Sequence, residues 1–109
     1  MTVTKIKDVE SIGAPLYDMR TILNEKGEYN IVKFTVITMP PHVRVPAEGF
    51  SCHEEDEYSY FVEGGLYTES GDVKYETMPG DITLIPKGEK HWCENRTDKP
   101  CTLVCVMVK

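Results

Sequence analysis

Short runs of β-branched and aromatic residues recur along the chain, and turn residues separate them. The runs include residues 29–39 (YNIVKFTVITM), 58–64 (YSYFVEG), 82–86 (ITLIP) and 101–108 (CTLVCVMV). Between two further runs, Gly71 and Asp72 form a hairpin signal. Short strands at this spacing are typical of sandwiches and barrels, so the pattern predicts an all-β fold rather than a helical or α/β fold.

Helical periodicity is scarce. The best helix candidate covers residues 17–23 and ends at the turn signal NEKGE of residues 24–28. Prolines interrupt residues 39–49 (MPPHVRVPAEG). Because proline cannot donate a hydrogen bond to a central ladder, this segment is predicted as an edge strand or a loop.

Size and charge narrow the classes of function. A chain of 109 residues supports one domain, and its net charge of −6 opposes binding to nucleic acid and to anionic membrane surfaces. No apolar run approaches the roughly 18 residues that a membrane span needs, and no apolar core of a signal peptide follows Met1. The four cysteines are therefore interpreted as reduced thiols, and we expect a cytoplasmic protein.

Two segments carry chemistry-bearing residues at defined spacing. In residues 51–65 (SCHEEDEYSYFVEGG), three residues separate His53 from Glu57, and six more separate Glu57 from Gly64. Residues 80–95 (GDITLIPKGEKHWCEN) carry a second set of spaced residues, namely Gly80, Pro86, Gly88, His91 and Asn95. The glycines allow the tight reversals that a small barrel needs.

These two segments resemble the paired motifs of the cupin superfamily. The second matches the family pattern at every defining position, and the first matches in its His53–Glu57–Gly64 half. The resemblance covers roughly residues 36–108. It implies a double-stranded β-helix, or jelly-roll barrel, with at most a short N-terminal helical turn. We expect a single cupin domain over residues 1–109, with its conserved barrel at about 30–108 and an N-terminal arm at 1–29.

Strand geometry gives a physical reading of the motifs. Ser51 and His53 share a face because strand residues alternate sides, and a turn through residues 54–56 returns Glu57 to that face. His91 comes from a separate strand pair. The resulting set of two imidazoles and one carboxylate suits one divalent transition metal ion. The donor set does not distinguish Fe, Mn, Ni and Zn. Residues 54–56 are then expected to form a solvated turn.

The first motif departs from the family pattern at Ser51, where cupins usually carry a histidine. A serine hydroxyl is a weaker ligand than imidazole. We therefore expect His53, Glu57 and His91 to hold the metal, with Ser51 at a fourth position or in contact with substrate. A degenerate cupin that binds no metal is the alternative.

Alternation also nominates wall residues. Ser59 and Phe61 follow Glu57 on its inward face, whereas Tyr58 and Tyr60 look outward. Residues expected to line the cavity on the other strands are Cys93, Cys105 and Met107. The alternative is that the cysteines are ordinary small hydrophobic core residues. His42 is either a further cavity residue or a surface residue on an edge.

The resemblance implies two classes of function. The first is a metal-dependent enzyme acting on a small polar molecule, as a dioxygenase, isomerase or lyase. The second is a non-catalytic cupin module that binds a small ligand or a metal. An apolar strip opposite the cavity face of the last strand, together with the habit of cupins to pack sheet against sheet, implies a homodimer.

Overall fold

The computed structural model describes residues 5–24 and 32–109 of the chain. These residues form a 3₁₀ turn at Ile6–Asp8 and nine strands. The strands are β1 (Asp18–Asn24), β2 (Val32–Met39), β3 (Arg44–Val45), β4 (Asp56–Glu63), β5 (Tyr67–Ser70), β6 (Val73–Glu76), β7 (Ile82–Ile85), β8 (His91–Glu94) and β9 (Cys101–Val108). Within the described ranges, no helix has the length and apolar character that crossing a bilayer requires.

The strands build two antiparallel sheets that face each other. The five-stranded sheet has the order β1-β2-β9-β4-β7, and the four-stranded sheet has the order β3-β8-β5-β6. Apart from the consecutive pairs β1–β2 and β5–β6, neighbouring strands in each sheet are not consecutive along the chain, as in a jelly roll. The predicted all-β jelly-roll barrel is therefore confirmed. The proline-rich segment 39–49 contributes only the two-residue edge strand β3, as its prolines predict.

The predicted helix at residues 17–23 is wrong, because this segment forms strand β1. The strand pairs with β2 along its whole length, and the hydroxyls of Thr21 and Thr35 lie 2.9 Å apart across the pair. A complete antiparallel ladder outweighs the weak local helical preference of a short segment. The five-stranded sheet thus begins inside the segment that the sequence assigned to an N-terminal arm.

The core lies between the sheets and follows the alternation of β9. Cys101, Leu103 and Cys105 are buried on one face of this strand, while the alternate residues Thr102, Val104 and Val106 are half-buried on the other. Phe61 and Leu66 join the same apolar cluster. The inward and outward faces of β4 are also as predicted, since Ser59 and Phe61 are buried whereas Tyr58 and Tyr60 are exposed.

The turn after β8 is organised by Asn95, which is completely buried. Its amide nitrogen donates to the carbonyl oxygens of Met39, Pro40 and Lys99 at 2.7–3.2 Å. Its side-chain oxygen accepts from the backbone N–H and the hydroxyl of Thr97. The asparagine of the second motif is thus structural, because it satisfies backbone groups that burial would otherwise leave unpaired.

Steric crowding explains why the first motif has a glycine at position 64. Its φ is +69°, and a Cβ at this position would lie 2.6 Å from the carbonyl oxygen of Pro100. Only glycine fits both the left-handed backbone and the close approach of the chain. The reversal between β4 and β5 therefore depends on the residue that the motif spacing singled out.

Candidate metal centre

Three metal-ligand side chains converge between the two sheets. Glu57 lies on β4, His91 begins β8, and His53 lies in the segment that leads into β4. One ligand atom from each lies within 4.8 Å of the other two. The Nε2 atom of His53 lies 3.8 Å from Oε1 of Glu57, and the centroids of the two imidazole rings are 5.0 Å apart. The structure thus brings together the three residues that the sequence nominated.

A hydrogen bond fixes the tautomer of His91. Its Nδ1 atom lies 3.0 Å from the backbone carbonyl oxygen of Glu89. Because a carbonyl oxygen can only accept, Nδ1 carries the proton and donates it. The lone pair of Nε2 is then free for a ligand. Metal-binding histidines are commonly oriented in this way by a partner on the other ring nitrogen.

The three side chains fit a divalent transition metal ion. Metal bonds to histidine nitrogen and carboxylate oxygen are about 2.0–2.2 Å long. Two ligand atoms on one ion therefore lie at most about 4.4 Å apart. Here the ligand atoms lie within 4.8 Å of one another, so only small movements would bring all three onto one ion. Two imidazoles and a carboxylate also leave coordination positions open for water or substrate.

Backbone hydrogen bonds tie the two motifs to each other. Ser51 and His91 form an isolated antiparallel bridge, in which the two residues exchange N–H···O bonds of 2.7 and 3.0 Å. The N–H of Gly88 donates to the carbonyl oxygen of His53 at 2.8 Å. The N–H of Lys87 donates to the Asp56 carboxylate at 2.9 Å. The positions of His53 and His91 are therefore set by one shared framework.

The acidic segment before Glu57 is not a uniformly solvated turn, and that prediction is wrong for Glu55. This residue is only 7% exposed, and its carboxylate accepts a hydrogen bond of 2.8 Å from the ammonium group of Lys33 on β2. The hydrogen bond and charge of Lys33 lower the pKa of Glu55. Glu54 is exposed, as expected, and Asp56 begins β4. The Lys33–Glu55 ion pair therefore pins the His53 segment to the five-stranded sheet.

A cavity of about 560 Å³ extends from the three ligand residues into the space between the sheets. Its walls include all but one of the residues that the sequence placed around the site, namely Ser51, Ser59, Phe61, Cys93, Cys105 and Met107. Both edge strands contribute to the lining, β6 through Tyr75 and β7 through Thr83 and Ile85, which pair with the inward residues Ser59 and Glu57.

The exception is His42, which lies away from the cavity. Its side chain is 64% exposed, and its Nε2 atom lies 2.9 Å from the carboxylate of Asp98. Its backbone has a φ of +61° within the turn between β2 and β3. An inward orientation of His42 required a regular strand, and the left-handed turn interrupts it. His42 is therefore a surface residue.

Sequence reasoning missed Glu89, Ser70 and Thr68, which also line the cavity. The Glu89 carboxylate accepts a hydrogen bond of 2.7 Å from the hydroxyl of Ser70. Glu89 precedes His91 by two residues, so alternation counted backwards from His91 would have nominated it. Ser70 pairs with His91 across β5 and β8, and no local pattern in the sequence reveals that register.

The cavity thiols are neutral. Burial, together with the nearby charge of Glu57, raises the pKa of Cys93 to about 12 and that of Cys105 to about 12. The sulfur of Cys105 lies 3.1 Å from the hydroxyl oxygen of Ser59. Both cysteines therefore act at neutral pH as small, weakly polar wall residues, and both also belong to or pack against the apolar core.

A jelly roll with two histidines and one carboxylate between its sheets defines the class of protein. The sequence profile described as "Cupin domain" matches residues 35–107, which is most of the chain. The chain therefore belongs to the cupin family. A comparison with curated protein sequences returned no match.

Solved structures with the same fold include proteins named as enzymes. One is a predicted oxalate decarboxylase from Thermotoga maritima, with 19% identity, a TM-score of 0.77 and 98% coverage of both chains. Another is the polyketide cyclase RemF from Streptomyces resistomycificus, with 20% identity, a TM-score of 0.77, and 98% and 78% coverage of this chain and that one. A third is a sugar phosphate isomerase from Silicibacter pomeroyi, with 20% identity, a TM-score of 0.77, and 99% and 76% coverage. At these identities the likeness establishes the fold.

Replacing Lys33 by methionine is expected to lower the free energy of unfolding by about 1–2 kcal/mol at pH 7, because it leaves the Glu55 carboxylate buried without its partner. Since the pKa of Glu55 is lowered in the folded state, the pair stabilises the fold above the unfolded-state pKa of about 4.3. This contribution is lost as the pH falls through the folded-state pKa. Urea unfolding at pH 7 and at successively lower pH measures the difference.

The control for this variant is Lys33→Arg, which keeps the positive charge and is expected to stay close to the wild type at every pH. An equal loss of stability for Lys33→Met at neutral and acidic pH would show that the ion pair is not the cause.

Proposed function

We propose that this cupin is a metal-dependent enzyme that acts on a small molecule through a divalent transition metal ion held by His53, Glu57 and His91. The observation that carries the proposal is the convergence of these three side chains at one end of a cavity large enough for a substrate. The fixed tautomer of His91 supports it, because Nε2 is left free to bind the ion.

The residues around the proposed ion have separable roles. When bound, the metal supplies Lewis-acid chemistry at open coordination positions. The hydroxyl of Ser51, on the strand bridge beside His91, is placed to contact substrate at that end. Of the two carboxylates in the described lining, Glu57 is a proposed ligand and Glu89 is not. The hydrogen bond that the Ser70 hydroxyl donates to Glu89 holds this carboxylate in position to accept or donate a proton.

The named activities of the structural neighbours support catalysis without selecting a reaction. Decarboxylation, cyclisation and isomerisation are different reactions carried by one fold, so the reaction depends on the site. Ser51 favours the second candidate, a non-catalytic module, because a serine in place of the usual histidine removes one imidazole ligand and so lowers the affinity for the metal ion. Measurement of metal content separates the two candidates.

Wild-type protein purified without added metal is expected to contain about one first-row transition metal ion per chain. The variant His91→Ala is expected to lose nearly all of it, because it removes one of the three ligands from the buried end of the site. Inductively coupled plasma mass spectrometry measures the metal content, and circular dichroism checks the fold.

His42→Ala is the matched control, since it removes an exposed histidine outside the cavity and is expected to retain the metal. A wild type that is folded and free of metal, and that stays so after incubation with Fe(II), Mn(II), Ni(II) and Zn(II), would overturn the proposal and favour the non-catalytic module.

Ser51→His is expected to raise metal affinity at least about tenfold, because it adds an imidazole to the set. Ser51 and His91 are directly opposite in an antiparallel bridge, so their side chains lie on the same face. Competition with a chromogenic chelator measures the affinity. The control is Cys52→His, which places an imidazole at the exposed neighbouring residue. Equal gains in the two variants would contradict the geometry.

We also propose a homodimer that buries the outer face of the five-stranded sheet. Across strands β2, β9, β4 and β7, two rows of aligned residues on this face are entirely apolar or aromatic. Ile82 is 76% exposed, and Phe34, Tyr58, Tyr60 and Leu84 are also exposed. The rows are Phe34–Val106–Tyr58–Leu84 and Val36–Val104–Tyr60–Ile82. A two-fold axis would pack this face against its own copy.

Sedimentation velocity is expected to give twice the mass of one chain for the wild type and the mass of one chain for Tyr60→Lys. The lysine would place a charge at the centre of the outer face, where a partner chain would bury it. Tyr75→Lys changes a similarly exposed tyrosine on the other sheet and is expected to stay dimeric. A monomeric wild type would refute the dimer.

The four cysteines support a cytoplasmic location as a further part of the proposal. All four are free thiols in the described structure, and two of them are buried. Free buried thiols are typical of proteins in reducing compartments.

A further inference from the structure

The chemistry of the cavity changes in steps along its length. Pairing of β4 with β9 places Glu57 opposite Met107, Ser59 opposite Cys105, and Phe61 opposite Leu103. These pairs run from the proposed metal to the opposite end of the cavity. The wall thus passes from a charged group, through a hydroxyl and a thiol, to two buried hydrocarbon side chains.

Side chains on the four-stranded sheet show the same change from polar to apolar between the proposed metal and the opposite end of the cavity. Ser70 lies opposite His91, and Thr68 lies opposite Cys93. Leu66 follows on the same side and is buried against Phe61 and Leu103 in the core cluster. We refer to Phe61, Leu66 and Leu103 as the apolar floor.

The middle of the cavity is lined by small side chains on both sheets, namely Ser59, Thr68, Cys93 and Cys105. Small residues there leave the open volume, while larger ones close the floor. From Met107 to Leu103 the strand advances four residues, or about 14 Å at 3.4 Å per residue. This length accommodates a six-membered ring with a substituent, reaching from the metal to the floor.

The charges of the wall are all at the metal end. Among the described lining residues, the carboxylates are Glu57 and Glu89, and neither lysine nor arginine is present. Arg44, on the edge strand β3 that pairs with β8, donates to the carbonyl oxygens of Pro46 and Gly49 and stacks over Trp92. The ammonium of Lys33 is bound to Glu55.

A ligand anion near the floor would therefore lose its hydration without gaining a counter-charge. Burying an unpaired charge against hydrocarbon is far more costly than burying an uncharged group of the same size. Only the metal end offers a positive partner, and only for one oxygen-donor group of the ligand.

We infer that the site selects a small molecule with a single oxygen-donor head and an uncharged, apolar body, and that it rejects molecules that carry a second, remote carboxylate or phosphate. The head binds at the His53–Glu57–His91 end, and the body lies against the apolar floor. The position of the head rests on the proposed function, whereas the selection against a remote anion rests on the floor itself.

The test compares two probes that share a metal-binding head. 4-tert-Butylcatechol and 3,4-dihydroxybenzoate both offer a catechol, but the remote group is a hydrocarbon in the first and a carboxylate in the second. Isothermal titration of Zn(II)-loaded protein without oxygen is expected to give at least about tenfold tighter binding of 4-tert-butylcatechol. Methyl NMR signals of Leu66 and Leu103 are expected to shift with it.

A parallel comparison separates failure of this inference from failure of the metal site. 4-tert-Butylphenol and 4-hydroxybenzoate, titrated into metal-free protein, test the apolar floor alone, and the same preference is expected at weaker affinity. Equal or tighter binding of the carboxylate probe in either pair overturns the inference, as do methyl shifts that spare Leu66 and Leu103. Zinc content of the loaded sample reports on the proposed function independently.

Discussion

The backbone bridge between Ser51 and His91 is the interaction on which the rest of the site depends. Its two hydrogen bonds join segments that are 40 residues apart in sequence, and they hold the start of β8 against the segment that carries His53. The bond from Gly88 to the carbonyl of His53 adds a second tie. Because main-chain bonds set these positions, the fold itself holds the two imidazoles close together, which is the preorganisation that the proposed ion would need.

Preorganisation extends beyond the ligands to the elements that hold them. The Lys33–Glu55 pair pins the His53 segment to β2, and the Glu89 carbonyl fixes the ring of His91. Buried ion pairs contribute little net stability compared with well-packed apolar residues, but loss of one partner is costly. The pair therefore fixes the position of the His53 segment, and loss of Lys33 lowers stability because the Glu55 carboxylate would stay buried without its partner.

Much of the fold and the clustering of His53, Glu57 and His91 could be predicted from the sequence. Strand periodicity indicated an all-β fold, and the resemblance of the two spaced motifs to those of cupins implied the jelly roll and the three candidate ligands. The errors lie where distant contacts decide. The segment at 17–23 became a strand because β2 offers it a full ladder, and Glu55 is buried because Lys33 approaches from another strand. Neither partner is encoded in the neighbouring residues. For His42 the sequence left cavity and surface open, and the left-handed backbone accompanies a surface position.

Strands β4 and β9 couple the two faces of the five-stranded sheet. On β4, Glu57, Ser59 and Phe61 face the cavity, and the tyrosines between them form the outer face. A slip of one residue would exchange these sets, placing tyrosines in the cavity and the carboxylate outside. The side chains that face the cavity and those on the outer face therefore both favour the same register of β4 against its neighbours. Covering the outer face by a second copy would reinforce the register that positions Glu57, so the proposed dimer and the proposed metal centre would be linked through one sheet.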